Sequence, residues 1–138
     1  MESPLKNKSY VFAIRIVKLM QYLQNDKKEF VLSKQILRSG TAVGALIHEA
    51  EFAQSKPDFT HKMNIALKEA NETAYWLNIL KDTDYLEQTL FESLCWIVKN
   101  LSQCWYHRSK LQKALNNEAT CHYSLFAFHL CTNIQKTI

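Results

Sequence analysis

Only two glycines and two prolines interrupt the 138 residues of this chain, and both glycines sit inside a run of apolar residues spaced in alternating steps of four and three. Such steps keep side chains on one stripe of an α-helix. With so few turn-forming residues and 47% apolar content, the chain suits a few long helices with short connections and leaves little room for strands. An all-α fold follows.

The stripe can be followed along most of the chain. Phe12, Ile16, Leu19 and Leu23 predict a first helix over about 9–24. Ile36, Gly40, Val43, Ile47 and Ala50 predict a second over about 34–54, with Ser33 as its expected N-cap. Phe59, Met63, Ala66, Ala70, Thr73, Leu77 and Leu80 predict a third over about 56–81. Ser55 should cap it, with Pro57 in the first turn, where its missing N–H does no harm, and Asp58 at the positive end of the helix dipole. Leu90, Leu94, Ile97, Leu101, Cys104, Arg108, Leu111 and Leu115 predict a fourth over about 86–116, with Trp96 and Trp105 just off the line. Short polar connections make these an antiparallel up-down-up-down four-helix bundle, expected to span 1–118. The period stops after Asn117, so 119–138 is expected to form a C-terminal tail whose Leu125, Phe126, Phe128 and Leu130 suit a short packed helix.

The glycines need a reason to be where they are. Each costs a helix ~1 kcal/mol relative to alanine, so the small face formed by Gly40, Thr41, Gly44 and Ala45 is expected to admit close packing of another helix or of another subunit.

Catalytic chemistry finds little support. Glu49, Glu51, Glu69 and Glu72 could suggest a bundle-core metal centre, but none is followed three residues later by the histidine such centres use. Cys121, His122, His129 and Cys131, with Cys104 and His107 nearby, match no established zinc spacing. There is no nucleophile and base at motif spacing and no glycine loop to cradle phosphate. The expectation is a protein with no enzymatic activity, no metal and no cofactor. No apolar run reaches the ~20 residues of a membrane span, and no secretory signal precedes the first helix, so a soluble cytoplasmic protein with reduced cysteines is expected.

The formal charge of +4 is unevenly spread. In an up-down bundle the start of the first helix, the corner between the second and third, and the end of the fourth share one end. That end gathers Lys6, Lys8, Lys56, Lys62, Arg108, Lys110 and Lys113, opposed mainly by Glu2, Glu51, Asp58 and Glu118. These cations are candidate phosphate contacts, and an oligomer presenting the same end several times would sum their field. Binding of this kind is salt-sensitive and reads little sequence.

The segment from Leu37 to Leu80 carries a more specific signal. Arg38-Ser39-Gly40-Thr41 through Gly44, Glu49-Ala50, Ser55 with Asp58-Phe59, the run Ile65 to Ala70, Glu72-Thr73 and Tyr75-Trp76-Leu77 resemble the bacterial four-helix bundle proteins first met in intervening sequences of the large-subunit ribosomal RNA gene. That family includes the accessory variability determinant of diversity-generating retroelements. The similarity covers about 9–115. It implies a homopentameric ring without known enzymatic activity and, in the retroelement branch, binding of RNA or DNA and of a reverse transcriptase through a basic surface. The resulting functional expectation is association with RNA or a ribonucleoprotein. The alternative is a protein-interaction scaffold or reverse-transcriptase accessory that does not itself bind nucleic acid. Ala42 and Leu46 depart from the family pattern, where serine and asparagine are frequent.

Overall fold

The computed structural model describes residues 4–116, with the side chains of 4–103, 105 and 106. Four helices make up the described chain: α1 (Pro4–Asn25), α2 (Leu32–Ala50), α3 (Lys56–Asp82) and α4 (Gln88–Asn116). Among the described residues there is no strand, and the architecture is a four-helix bundle. The chain divides into two compact units, Met1–Ser102 and Gln103–Ile138. The expected boundary near 118 and the whole expected tail lie outside the described residues.

Three of the predicted stripes are the buried faces. Phe12, Ile16, Leu19 and Leu23 of α1 are buried, as are Ile36, Val43, Ile47 and Ala50 of α2 and Met63, Ala66, Ala70, Leu77 and Leu80 of α3. The fourth stripe holds at Leu94 and Leu101 and departs elsewhere among the described side chains. Leu94, Val98 and Leu101 are buried in the first unit and Trp105 in the second, while Leu90 and Ile97 are only half-buried. Apolar neighbours at Ile97-Val98 allow either phase, and the period alone could not choose between them.

The helix ends correct the expected boundaries. Ser33 is not the N-cap of α2, because the helix already begins at Leu32 and Val31 before it offers no side-chain cap. Glu29 does the work from outside the helix. Its Oε1 accepts from the Val31 and Leu32 amides at 2.8 and 2.7 Å and its Oε2 from Ser33 at 2.7 Å, so one carboxylate satisfies three donors of the first turn. Burial pushes the Glu29 carboxyl up, but the amide bonds from Leu32, Ser33 and Val31 together outweigh it and hold the group below the ordinary carboxylate value. Ser33 is fully buried and accepts from Gln24 Nε2 at 3.2 Å.

The α1–α2 and α3–α4 connections reverse the chain by similar means. Each places one residue in the left-handed region, Lys28 at φ 54° and Asp84 at φ 59°. The following amide then reaches back to the end of the preceding helix, Glu29 N to Leu23 O at 2.9 Å and Tyr85 N to Leu80 O at 2.9 Å. Glycine is the usual occupant of that conformation, yet neither glycine of this chain is used there.

Candidate nucleic-acid interface

The corner between α2 and α3 is where the sequence placed the centre of the basic end. α2 stops at Ala50, short of the expected 54, because its last amides tighten onto carbonyls three residues back: Glu51 N to His48 O at 3.2 Å, Phe52 N to Glu49 O at 3.0 Å and Ala53 N to Ala50 O at 3.2 Å. Ser55 then caps α3 as expected. Its Oγ accepts from Asp58 N at 3.3 Å, and Asp58 Oδ2 accepts from Gln54 N at 3.2 Å.

Two of the candidate phosphate contacts are already engaged at this corner. Lys6 Nζ donates to Glu51 Oε2 at 2.8 Å, joining the start of α1 to the end of α2. Lys62 Nζ donates to Glu49 Oε2 at 2.7 Å, joining α3 to α2. The Lys6 hydrogen bond holds the Glu51 carboxyl below its ordinary value, and the Glu49 hydrogen bond holds the Lys62 ammonium above its own. Such solvent-facing pairs contribute little to stability, but they add no net charge to the surface. Glu49 thus joins the acids that oppose these cations, at a thirteen-residue separation from Lys62 that carries no signal in the sequence.

Lys8 is half-buried and Lys56 exposed, and among the described residues neither has an acidic partner within ion-pairing distance. Arg108, Lys110 and Lys113 fall on the last turns of α4, and their side chains lie outside those described.

The small face of α2 turns toward α1 of the same chain at its two glycines. A Cβ built on Gly40 would lie 2.8 Å from both Cγ1 and Cγ2 of Ile16, a distance at which something has to move. At Gly44 the nearest atom would be the Ser9 carbonyl oxygen at 3.4 Å. Thr41 is half-buried and returns its hydroxyl to Leu37 O at 2.7 Å, whereas Ala45 is exposed.

Between α2 and α3 the contact is polar as well as apolar. Thr73 Oγ1 donates to Ser39 Oγ at 3.0 Å, with the Glu69 carbonyl 2.8 Å away as a second acceptor, and Ser39 Oγ donates to Gln35 O at 3.2 Å. Beside this buried pair Arg38 meets Glu72, and its guanidinium lies 3.6 Å from Glu69 Oε2. Trp76 Nε1 donates to Glu72 Oε1 at 3.1 Å; that bond first, and the Arg38 bond second, hold the Glu72 carboxyl below its ordinary value.

Glu49, Glu51, Glu69 and Glu72 are thus each engaged with a cation. Among the described residues no group of three or more His, Cys, Asp or Glu side chains is disposed to hold a metal ion. Burial pushes the Cys95 thiol up, which leaves it protonated and a poor nucleophile at neutral pH. No described helix is long and apolar enough to cross a membrane.

Comparison with known proteins adds to this picture. The sequence pattern of a family described as 23S rRNA-intervening sequence protein matches residues 2–107. A crystal structure of a protein of unknown function from the S23 ribosomal protein family of Bacteroides thetaiotaomicron is similar at 53% sequence identity and a TM-score of 0.73, over 73% of this chain and 94% of that one. No curated protein matches the chain.

Proposed function

This chain belongs to the 23S rRNA-intervening sequence protein family, and from that membership we propose that it is a non-catalytic, self-assembling helical bundle that associates with RNA or a ribonucleoprotein by electrostatic contact. The observation that carries the reading is the one-sided charge of α1. Lys6, Lys8, Arg15 and Lys18 lie on this helix, there is no acidic residue from Pro4 to Asn25, and of the four only Lys6 meets a carboxylate among the described residues.

In the first unit Lys8 and Lys56 supply phosphate contacts, and Arg108, Lys110 and Lys113, on the last turns of α4, are further candidates in the second. Lys6 and Lys62 serve the corner through Glu51 and Glu49. A surface of separate cations with no sequence-reading element holds a phosphate backbone by releasing its counterions. The expected partner is RNA of many sequences, bound more weakly as salt rises. Assembly into a ring, five subunits by the family resemblance, would repeat the surface. Exposed Tyr10 and Ile14 on α1 give such an assembly apolar side chains to cover.

Retention on a structured RNA, measured across a salt series, tests the proposal. Affinity should fall steadily with salt, and Lys8→Glu with Lys56→Glu should lower it for all sequences alike. Absent binding, or binding indifferent to salt, would overturn it. A second reading, a protein-interaction scaffold or reverse-transcriptase accessory with no nucleic-acid binding of its own, is favoured by Phe52, 81% exposed at the α2–α3 corner. Capture of a protein partner that survives nuclease treatment, alongside absent RNA retention, would select it.

A further inference from the structure

On the outside of the first unit a side-chain hydrogen bond joins α1 to α4, and a line of exposed and half-buried residues runs along each helix from it. Lys8, Val11, Arg15 and Lys18 follow one another at steps of three, four and three, so they form a single line along α1. Arg15 reaches across that line to α4, donating from Nη2 to Ser93 Oγ at 2.9 Å. On α4 the matching line is Ser93, Trp96 and Asn100, with Asn100 Nδ2 donating to the Trp96 carbonyl at 2.7 Å. All of these residues belong to the first compact unit.

The two helices run in opposite directions. The step from Ser93 to Trp96 therefore moves the backbone about 4.5 Å toward the start of α1, the direction in which Lys8 lies from Arg15. Trp96 is 55% exposed and Val11 equally so. An indole left in water one turn from the serine that Arg15 reaches is poorly explained by the core, which α4 fills with Leu94, Val98 and Leu101; Glu92, one turn before Trp96, accepts from Gln88 Nε2 at 2.6 Å. Arg15 spends one donor on Ser93 and has others to offer, since a guanidinium carries five.

We propose that this seam is a seat for unpaired nucleotides, in which the Trp96 indole stacks on a base while Lys8, Arg15 and Lys18 hold the phosphates of the same strand. The inference rests on the nucleic-acid reading above and narrows its ligand. An aromatic face takes any base, because every base has a π-face, but bases inside a duplex are already stacked on each other. Single-stranded RNA is therefore the ligand that satisfies both the positive line and the exposed ring, whereas a duplex satisfies only the former.

The test compares binding of a single-stranded oligouridine and an RNA duplex of equal length to the full chain, with the particle mass followed by light scattering. The single strand should bind more tightly and quench tryptophan fluorescence. Trp96→Ala should weaken single-strand binding about tenfold, and Trp96→Phe should keep most of it. Neither variant should alter duplex binding, and Lys18→Glu should weaken the single strand with Trp96 intact. If Trp96→Ala proved misfolded by circular dichroism, Trp96→Phe and Lys18→Glu would decide. Salt-sensitive RNA binding that ignores Trp96 and Lys18, or that treats duplex and single strand alike, would overturn the seam and leave the broader function standing. A wild-type chain that binds neither RNA removes both. A lower particle mass for Trp96→Ala would make the indole a subunit contact and also overturn the proposal.

Discussion

Gly40 on α2 faces Ile16 on α1 so closely that a single added methyl would lie 2.8 Å from two carbons of the isoleucine. Both residues are buried, Ile16 completely, and the two carbons met sit at its β-branch, whose rotamer is stiff, rather than at the far end of a flexible chain. Gly40→Ala should therefore destabilise the fold by about 1–3 kcal/mol, the usual range for overpacking, even though alanine favours a helix by ~1 kcal/mol. Gly44→Ala meets only ordinary contact with the Ser9 carbonyl and should be neutral or stabilising by up to ~1 kcal/mol. Urea midpoints of the two variants check the contrast. Adding Ile16→Ala to Gly40→Ala should recover part of the methyl's cost, which would identify the clash as its source.

The Glu29 carboxylate predicts an acid-sensitive step. Its folded titration lies below the ordinary value, so its contribution is fully present above the unfolded carboxylate pKa of ~4.3 and is lost as pH falls through the lower, folded value. Glu29→Ala should cost about 2 kcal/mol at neutral pH, since it removes a cap and leaves the buried Ser33 amide without its acceptor. Glu29→Gln should be less stable than wild type at pH 7 and should lose less further stability between pH 5 and pH 3, those being about the bounds of this window. Denaturant titrations across that interval check it.

Lys28 holds a left-handed conformation at φ 54° without being glycine. Lys28→Gly should raise stability by about 1 kcal/mol, because it removes the Cβ conflict with the backbone. The same change at Lys27, for which no left-handed φ is found, should bring no such gain. Thermal midpoints of the two variants make the comparison.

The Ser39–Thr73 bond should behave as a coupled pair. Thr73→Val strands no charge but removes the donor that Ser39 receives at 3.0 Å, and should cost about 1–2 kcal/mol. Ser39→Ala should cost a similar amount. The double variant should cost less than the sum, with a coupling of about 1 kcal/mol in a double-mutant cycle.

Much of the fold was legible because α1, α2 and α3 each place one clear apolar choice per turn, and the face they define is the buried face. On α4 the expected Leu94 and Leu101 are buried, but between them Ile97 and Val98 offer two choices side by side, and only packing selects Val98. The cap of α2 was missed for a different reason. Ser33 is the residue type that usually caps, whereas Glu29 acts from four residues earlier and only once the turn has folded it back. Of the expected basic end, composition supplied the cations. It could not supply the pairing of Lys6 with Glu51 across 45 residues, because that pairing exists only after the helices have met.

The buried hydroxyls have a consequence for alignment. Apolar stripes alone are tolerant, since sliding α2 along α3 by one turn would still lay aliphatic side chains on aliphatic side chains. Such a slip would carry Ser39 away from Thr73, setting a fully buried hydroxyl against Val43 or Ile36. It would also carry the notch at Gly40 past Ile16. One hydrogen bond and one missing methyl thus fix the register in which three greasy helices can dock.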